Sequence, residues 1–275
     1  MRALTAFVLA AAVVAAPALC QAAARALALG VLAEDTAFTS PSGATVTGEV
    51  IHGAGQGPHP AVLFVHWLGD PKTTNHTEFE PDAIALARKG VTSLLVDTFW
   101  ARPAWFDTVG KSADADVAQG REQVAQLRRA LDLLERQPGV DPARIAYVGH
   151  DFGAMFGALL AGVDSRPRVY VLMAGVPTMS QWYLLGKTHP QKDAYVAALD
   201  QLDIRGGLRA SHAKAFLFQF ASRDHYVKPT DAAAFAEAAP LPRGVFTYDA
   251  DHDLDVPQAH ADRLAWLAEQ LDPHP

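Results

Sequence analysis

Short apolar runs recur along this chain, separated by stretches with the spacing of amphipathic helices, and that rhythm limits the folds open to it. Ala61 to Val65 is continuously apolar, Val91 to Val96 reads as a buried strand ending at Asp97, and Arg144 to Val148, Val169 to Met173, Ala215 to Phe220 and Gly244 to Tyr248 are further short, mainly apolar stretches. A strand buried on both faces reads this way, whereas a strand with one wet face alternates. Between the runs, Pro81 to Lys89 is predicted helical. Val124, Leu127, Leu131 and Leu134 mark one face of a second helix that stops at Gln137-Pro138-Gly139. A further helix is expected from about Phe152 to Leu160, and His260, Leu264, Leu267 and Leu271 mark a closing one. Strands alternating with helices imply a mainly parallel sheet covered on both sides. Ala37-Phe38-Thr39 and Ala44 to Val50 flank Ser40-Pro41-Ser42-Gly43, which reads as a hairpin adding an antiparallel edge. The segment from Gly175 to His212 breaks the rhythm and is expected to pass over the top of the sheet.

The first residues have another character. Arg2 is followed by an apolar run from Ala6 to Leu19 and by small residues at Ala22, Ala23 and Ala24. That is the pattern of a signal peptide over residues 1–24, so export to the periplasm or medium is expected, with no membrane association after cleavage. The single cysteine, Cys20, lies inside this segment, and Leu19 before it is bulkier than lipid attachment favours. The remaining residues, 25–275, are enough for one domain with a sizeable core. They carry no thiol, hence no disulfide and no Cys nucleophile. The formal net charge of −7 and the lack of a basic stripe exclude nucleic acid as an expected partner.

The sharpest chemical signal is Gly149-His150-Asp151-Phe152-Gly153, between a predicted strand and a predicted helix. This is the context of a nucleophile elbow, Gly-x-Ser-x-Gly, with Asp in the place of Ser. The tight turn needs small neighbours, lifts the central side chain above the sheet, and aims the next backbone N–H, that of Phe152, at a developing oxyanion. Partners follow in the order this arrangement uses. Asp224 comes just after the run Ala215 to Phe220, and His252 just past the last strand. Asp224 would orient His252, which would act as general base. The second oxyanion donor is expected after Val65, in His66-Trp67-Leu68-Gly69, where the N–H of Trp67 or Leu68 is the natural one and Trp67 is taken for the site. His66, Trp182 and Tyr183 are the side chains expected to contact substrate.

With those residues in hand, nearly all of residues 25–275 resembles the α/β-hydrolase superfamily. The compact chain, with a short excursion instead of a full cap domain, is similar to its dienelactone-hydrolase-like branch. The elbow itself resembles those of haloalkane dehalogenases and epoxide hydrolases, which use an Asp nucleophile. That resemblance implies attack by Asp151 on a saturated carbon and an ester opened by water that His252 activates, with Asp224 as the orienting acid. The chain departs from those families in lacking a large helical cap and in placing Phe152 where dehalogenases commonly have Trp.

Three functions stay open at this stage. The first is a hydrolase of a small organic substrate through a covalent Asp151 ester. The second is a dienelactone-hydrolase-like esterase or lactonase using Asp151 in a modified role, because a carboxylate attacking an acyl carbon gives a reactive anhydride. The third is an inactive hydrolase fold kept as a binding protein. No Gly-x-Gly-x-x-Gly or P-loop is present, so no cofactor is implied. Asp249, Asp251, Asp253 and Asp255 alternate, but Leu254 and His260 stand where a calcium loop needs Gly and Glu. His66, His150, His225 and His252 lack the His-Glu-x-x-His spacing of a zinc helix, so no metal is expected. Trp100, Trp105 and Phe106 follow the strand ending at Asp97 and serve either packing or ligand binding.

Overall fold

A computed structural model describes residues 25–26, 30–70 and 74–272, so the expected signal peptide lies outside the described residues. The described strands form one sheet in the order β1-β2-β3-β5-β4-β6-β7-β8-β9. They are β1 (Arg25–Ala26), β2 (Leu32–Thr39), β3 (Thr45–Ile51), β4 (His59–Val65), β5 (Thr92–Val96), β6 (Val140–His150), β7 (Pro167–Met173), β8 (Ala215–Ala221) and β9 (Arg243–Tyr248). β1, β2 and β3 run antiparallel and join β5 antiparallel, while β5, β4, β6, β7, β8 and β9 are parallel to one another. Every residue of β4, β5 and β8 is buried, which is why these strands are mostly apolar in sequence, with His59, Thr92, Ser93 and Gln219 as their buried polar members. β2 alternates between buried or half-buried and exposed positions, as a strand with one wet face does.

Helices cover both faces of the sheet: α1 (Glu80–Ala87), α2 (Ala113–Glu135), α3 (Phe152–Ala161), α4 (Met179–Tyr183), α5 (Lys192–Leu199), α6 (Ile204–Arg209), α7 (Pro229–Glu237) and α8 (Pro257–Leu271). α1 packs on α8, while α3 meets α2 and α6. The α1–α8 contact contains a buried ion pair. Arg263 donates to Asp82 Oδ2 from Nε (2.8 Å) and Nη2 (2.6 Å), and its Nη1 donates to Gln219 Oε1 of β8 at 2.9 Å. With its polar partners supplied, the guanidinium can sit 1% exposed and fix α8 against the sheet. The segment from Gly175 to His212 is less irregular than its polar sequence suggests. It folds into α4, α5 and α6, and α5 and α6 dock on α2 and α3 through residues such as Leu199 and Leu208.

The joint between β6 and α3 fixes the geometry above the sheet. Asp151 alone separates them, with φ 56° and ψ −113°, a backbone conformation that L residues seldom adopt. The flanking glycines are there because nothing larger fits. A Cβ on Gly149 would lie 2.3 Å from the Gly153 carbonyl oxygen, and one on Gly153 would lie 2.2 Å from that of Val65. Both obstacles are backbone atoms of the central strands and their helix, which cannot swing aside. Gly153→Ala is therefore expected to destabilise the protein by about 3 kcal/mol. An unchanged urea midpoint for the variant would contradict this account.

Candidate active site

The elbow places Asp151 at the end of β6, between the loops that follow β4 and β9. The carboxylate is 4% exposed. Its Oδ2 accepts a hydrogen bond from the Leu68 N–H at 3.1 Å, while Oδ1 is buried without a hydrogen-bond partner. Burial pushes the pKa of Asp151 up to about 7. His252 and the Leu68 N–H pull it back, and the carboxylates of Glu78 and Asp224 add to the rise. Phe152 opens α3, so its N–H belongs to the first helical turn and has no acceptor within the helix. Beside Asp151 the loop after β4 thus supplies the Leu68 N–H, and the start of α3 leaves the Phe152 N–H without a helical acceptor.

His252 and Asp224 meet across the ends of β8 and β9. His252 Nδ1 lies 2.7 Å from Asp224 Oδ2, and Asp224 Oδ1 accepts from the N–H groups of Tyr226 (2.7 Å) and Val227 (3.0 Å). Burial alone would raise the Asp224 pKa, but the hydrogen bond and charge of His252 and these two N–H groups lower it. The Asp224 side chain is 1% exposed, so its carboxylate is a fixed acceptor that leaves Nε2 as the free nitrogen of His252. Four aromatic rings surround the imidazole, among them that of His150, tilted with its centroid 5.5 Å away. Tyr226 and Trp182 meet it edge-on with centroids 5.0 and 5.6 Å away, and Trp67 lies tilted at 6.0 Å.

These groups open into a cleft of about 510 Å³, a volume suited to a small organic molecule. Trp67, Leu68, Phe106, Phe152, Trp182, Leu185 and Tyr226 give it apolar walls. Asp151 and His252 lie in the same cleft, with Asp70, His225, Asp251 and Asp253 among its polar lining. Trp100 and Trp105, only 0% and 5% exposed, pack beneath it against Phe152 and Phe156, so of that aromatic group Phe106 alone faces the cleft.

Three sequence assignments need correction. The N–H of Trp67, expected in the oxyanion hole, donates instead to Glu78 Oε2 at 2.7 Å, and the next residue, Leu68, points its N–H at Asp151. His66 does not face substrate. It is fully buried, donates from Nδ1 to the Trp67 carbonyl (2.7 Å), and accepts at Nε2 from the Thr98 hydroxyl (2.9 Å). Burial lowers its pKa, in keeping with a neutral ring that braces the loop. Tyr183 is also fully buried, its ring packed against Phe152 and Trp105 below the cleft, whereas its neighbour Trp182 lines it. A short helix turns adjacent residues to different sides, which polarity alone does not reveal. Sequence reasoning also missed Glu78 as a partner of this site, since nothing marks the polar turn His76–Phe79 as its neighbour.

A structure with the same fold is the acetyl xylan esterase from Paenibacillus sp. R4, with a TM-score of 0.73 and 17% identity over 91% of this chain and 88% of that one. Among curated proteins, Esterase FrsA of Enterobacter sp. (strain 638) is 32% identical over 128 residues, 46% of this chain and 28% of that protein. Esterase FrsA of Escherichia coli O81 (strain ED1a) is 29% identical over 178 residues, 65% of this chain and 39% of that protein. The chain thus spans well under half the length of these relatives. A family model described as Esterase FrsA-like matches residues 6–223, ending one residue before Asp224. The matched span takes in the loop after β4, the Asp151 elbow and the central parallel strands, and this chain belongs to the Esterase FrsA-like family of α/β-hydrolase-fold proteins.

Proposed function

We propose that this protein is a hydrolase of small, largely apolar organic molecules and that Asp151 is its nucleophile. The observation that carries this reading is the unequal setting of the two Asp151 oxygens: Oδ2 is held by the Leu68 N–H, and Oδ1 has no partner. A carboxylate so held presents one oxygen for attack and keeps the other beside a donor. In the first step Oδ1 bonds to a saturated carbon of the substrate and the leaving group departs with the electron pair. In the second, His252 Nε2 takes a proton from water, and the resulting hydroxide adds to the Asp151 carbonyl carbon. Negative charge then gathers on Oδ2, beside the N–H groups of Leu68 and Phe152. Collapse breaks the bond to Oδ1, which takes the proton from the His252 imidazolium, so the product alcohol leaves with the old carboxylate oxygen and Asp151 keeps one from water. Asp224 stabilises the imidazolium formed on the way. The apolar walls suit displacement at carbon, since few groups there would solvate the attacking carboxylate.

Membership of an esterase family favours a second reading, in which an ester is the substrate and Asp151 serves as base toward water. Export, with residues 1–24 removed, is proposed on the basic, apolar and small-residue order of that segment.

A single turnover in oxygen-18 water separates the two mechanisms. Haloalkanes, epoxides, esters and lactones are offered to excess enzyme, and the peptide containing Asp151 is weighed. Heavy oxygen in Asp151 with unlabelled alcohol is the expected result. Label in the product alone would assign Asp151 the role of base. The first step needs the ionised carboxylate, so its rate is expected to rise with pH up to about 7 and to level above it. A rate that is flat between pH 5 and 8 would contradict this.

The same titration affects stability. Unfolded, Asp151 ionises near the ordinary value of about 3.9. Folded, it holds its proton up to about 7. Stability is therefore lost as pH rises between these values, and the loss is complete above the folded pKa. Asp151→Asn escapes this loss. It should exceed the parent by on the order of 4 kcal/mol at pH 8, with the gap closing toward pH 4. Thermal melts whose difference does not change with pH would contradict a buried, ionising Asp151.

A further inference from the structure

Glu78 and His150 are assigned no step in the reaction above, yet they join its two halves. His150 occupies the elbow position just before Asp151 and is fully buried. Its Nε2 lies 2.9 Å from the backbone carbonyl oxygen of His252, and its Nδ1 lies 2.7 Å from Glu78 Oε1. A carbonyl can only accept, so Nε2 carries a hydrogen, and a single proton is shared between Nδ1 and the Glu78 carboxyl. The other oxygen of Glu78 accepts the Trp67 N–H at 2.7 Å. Above these contacts the Trp67 indole stacks on the His150 ring, with centroids 5.1 Å apart and planes 1° from parallel. The chain of contacts runs without a gap from the loop that supplies the Leu68 N–H, through Glu78 and His150, to the backbone of His252.

From this geometry we infer that Glu78 and His150 are positioning residues, a hydrogen-bonded clamp that holds the Leu68 donor and the His252 base in register on either side of Asp151. Each loop has its own local support as well. Trp67's carbonyl accepts from His66 and from the Thr74 hydroxyl (2.8 Å), and Leu254 N–H closes the turn onto Asp251 (3.1 Å). Those bonds shape each loop separately; the Glu78–His150 pair links one to the other. Small displacements of reacting groups are costly because both must be aligned in the same step. The clamp therefore acts on turnover rather than on affinity. It also accounts for the residue types: glutamate offers two acceptors on opposite sides, and imidazole offers two opposed nitrogens, so each spans a gap a shorter group would leave open.

The clamp rests on the proposed reaction only for its kinetic consequence, and its test is arranged so that the two can fail separately. Glu78→Gln keeps both contacts, with its amide oxygen accepting from Trp67 and its NH2 donating to a neutral His150. Glu78→Leu fills the same space and makes neither. Hydrogen–deuterium exchange needs no substrate. Residues 67–69 and 251–254 are both expected to exchange faster in the Leu variant and at the parent's rate in the Gln variant. On the substrate found by the labelling experiment, kcat of the Leu variant should fall on the order of 10- to 100-fold with KM nearly unchanged. The Gln variant should stay within about 3-fold of the parent. If the Leu variant does not fold, Glu78→Ser, which admits water to the Trp67 N–H but cannot reach His150, carries the same expectation. Unaltered exchange at 251–254, or a Gln variant as impaired as the Leu variant, would overturn the clamp. Absence of label in Asp151 would not, because exchange reads the coupling of the loops whatever the chemistry between them.

Discussion

The arrangement depends on one close approach, that of the α3 backbone at Gly153 to the carbonyl of Val65 at the end of β4. Because no side chain intervenes, α3 can start directly over the central strands, and the single residue between β6 and α3 must take a positive φ. That brings the first N–H groups of α3, the loop after β4 and the Asp151 side chain to one point. The two neighbouring strands, β4 and β7, pair with β6 on either side, so the sheet holds the turn in place. Strain at one residue is tolerable when packing around it leaves no alternative.

A carboxylate at that point is an awkward guest. It is withdrawn from water, receives one N–H, and has two other acids within electrostatic range. What keeps the site workable is the division of labour among those acids. Asp224 is satisfied by His252 and two backbone N–H groups, and Glu78 by Trp67 and His150. Asp151 is left as the least satisfied of the three, and hence the one with most to gain from a reaction that neutralises it.

Much of this was legible in the sequence, for identifiable reasons. Strands buried on both faces announce themselves as largely apolar runs, so β4 to β8 fall close to their expected places, and β9 does too although Val245 and Phe246 are exposed. The elbow carried its own context, because a strand, two glycines and a helix are needed together. Helix α2 starts at Ala113, well before Val124, and its first half went unread because the residues it buries, Asp116, Val117, Gly120 and Gln123, are mostly polar or small and show little apolar spacing. Helix α7 went unread for a similar reason: only Phe235 and Ala236 of it are buried. Which N–H of the loop after β4 faces Asp151, and that His66 and Tyr183 turn inward, depend on contacts with Glu78, Thr98 and Trp105, all distant in sequence. Such facts lie in tertiary packing, and spacing along the chain does not encode them.

The aromatic residues around the cleft have a spectroscopic consequence. Of the five tryptophans in the chain, Trp67 and Trp182 line the cleft and Trp100 and Trp105 lie directly beneath it, which leaves only Trp266 remote on α8. Four of the five tryptophans therefore line the cleft or pack against its lining residue Phe152. Trp67 and Trp182 also face the His252 ring at 6.0 and 5.6 Å, and an imidazolium quenches indole where a neutral imidazole does so weakly. The native fluorescence is thus a built-in indicator, able to follow both the arrival of a molecule in the cleft and the charge on His252 without any attached dye.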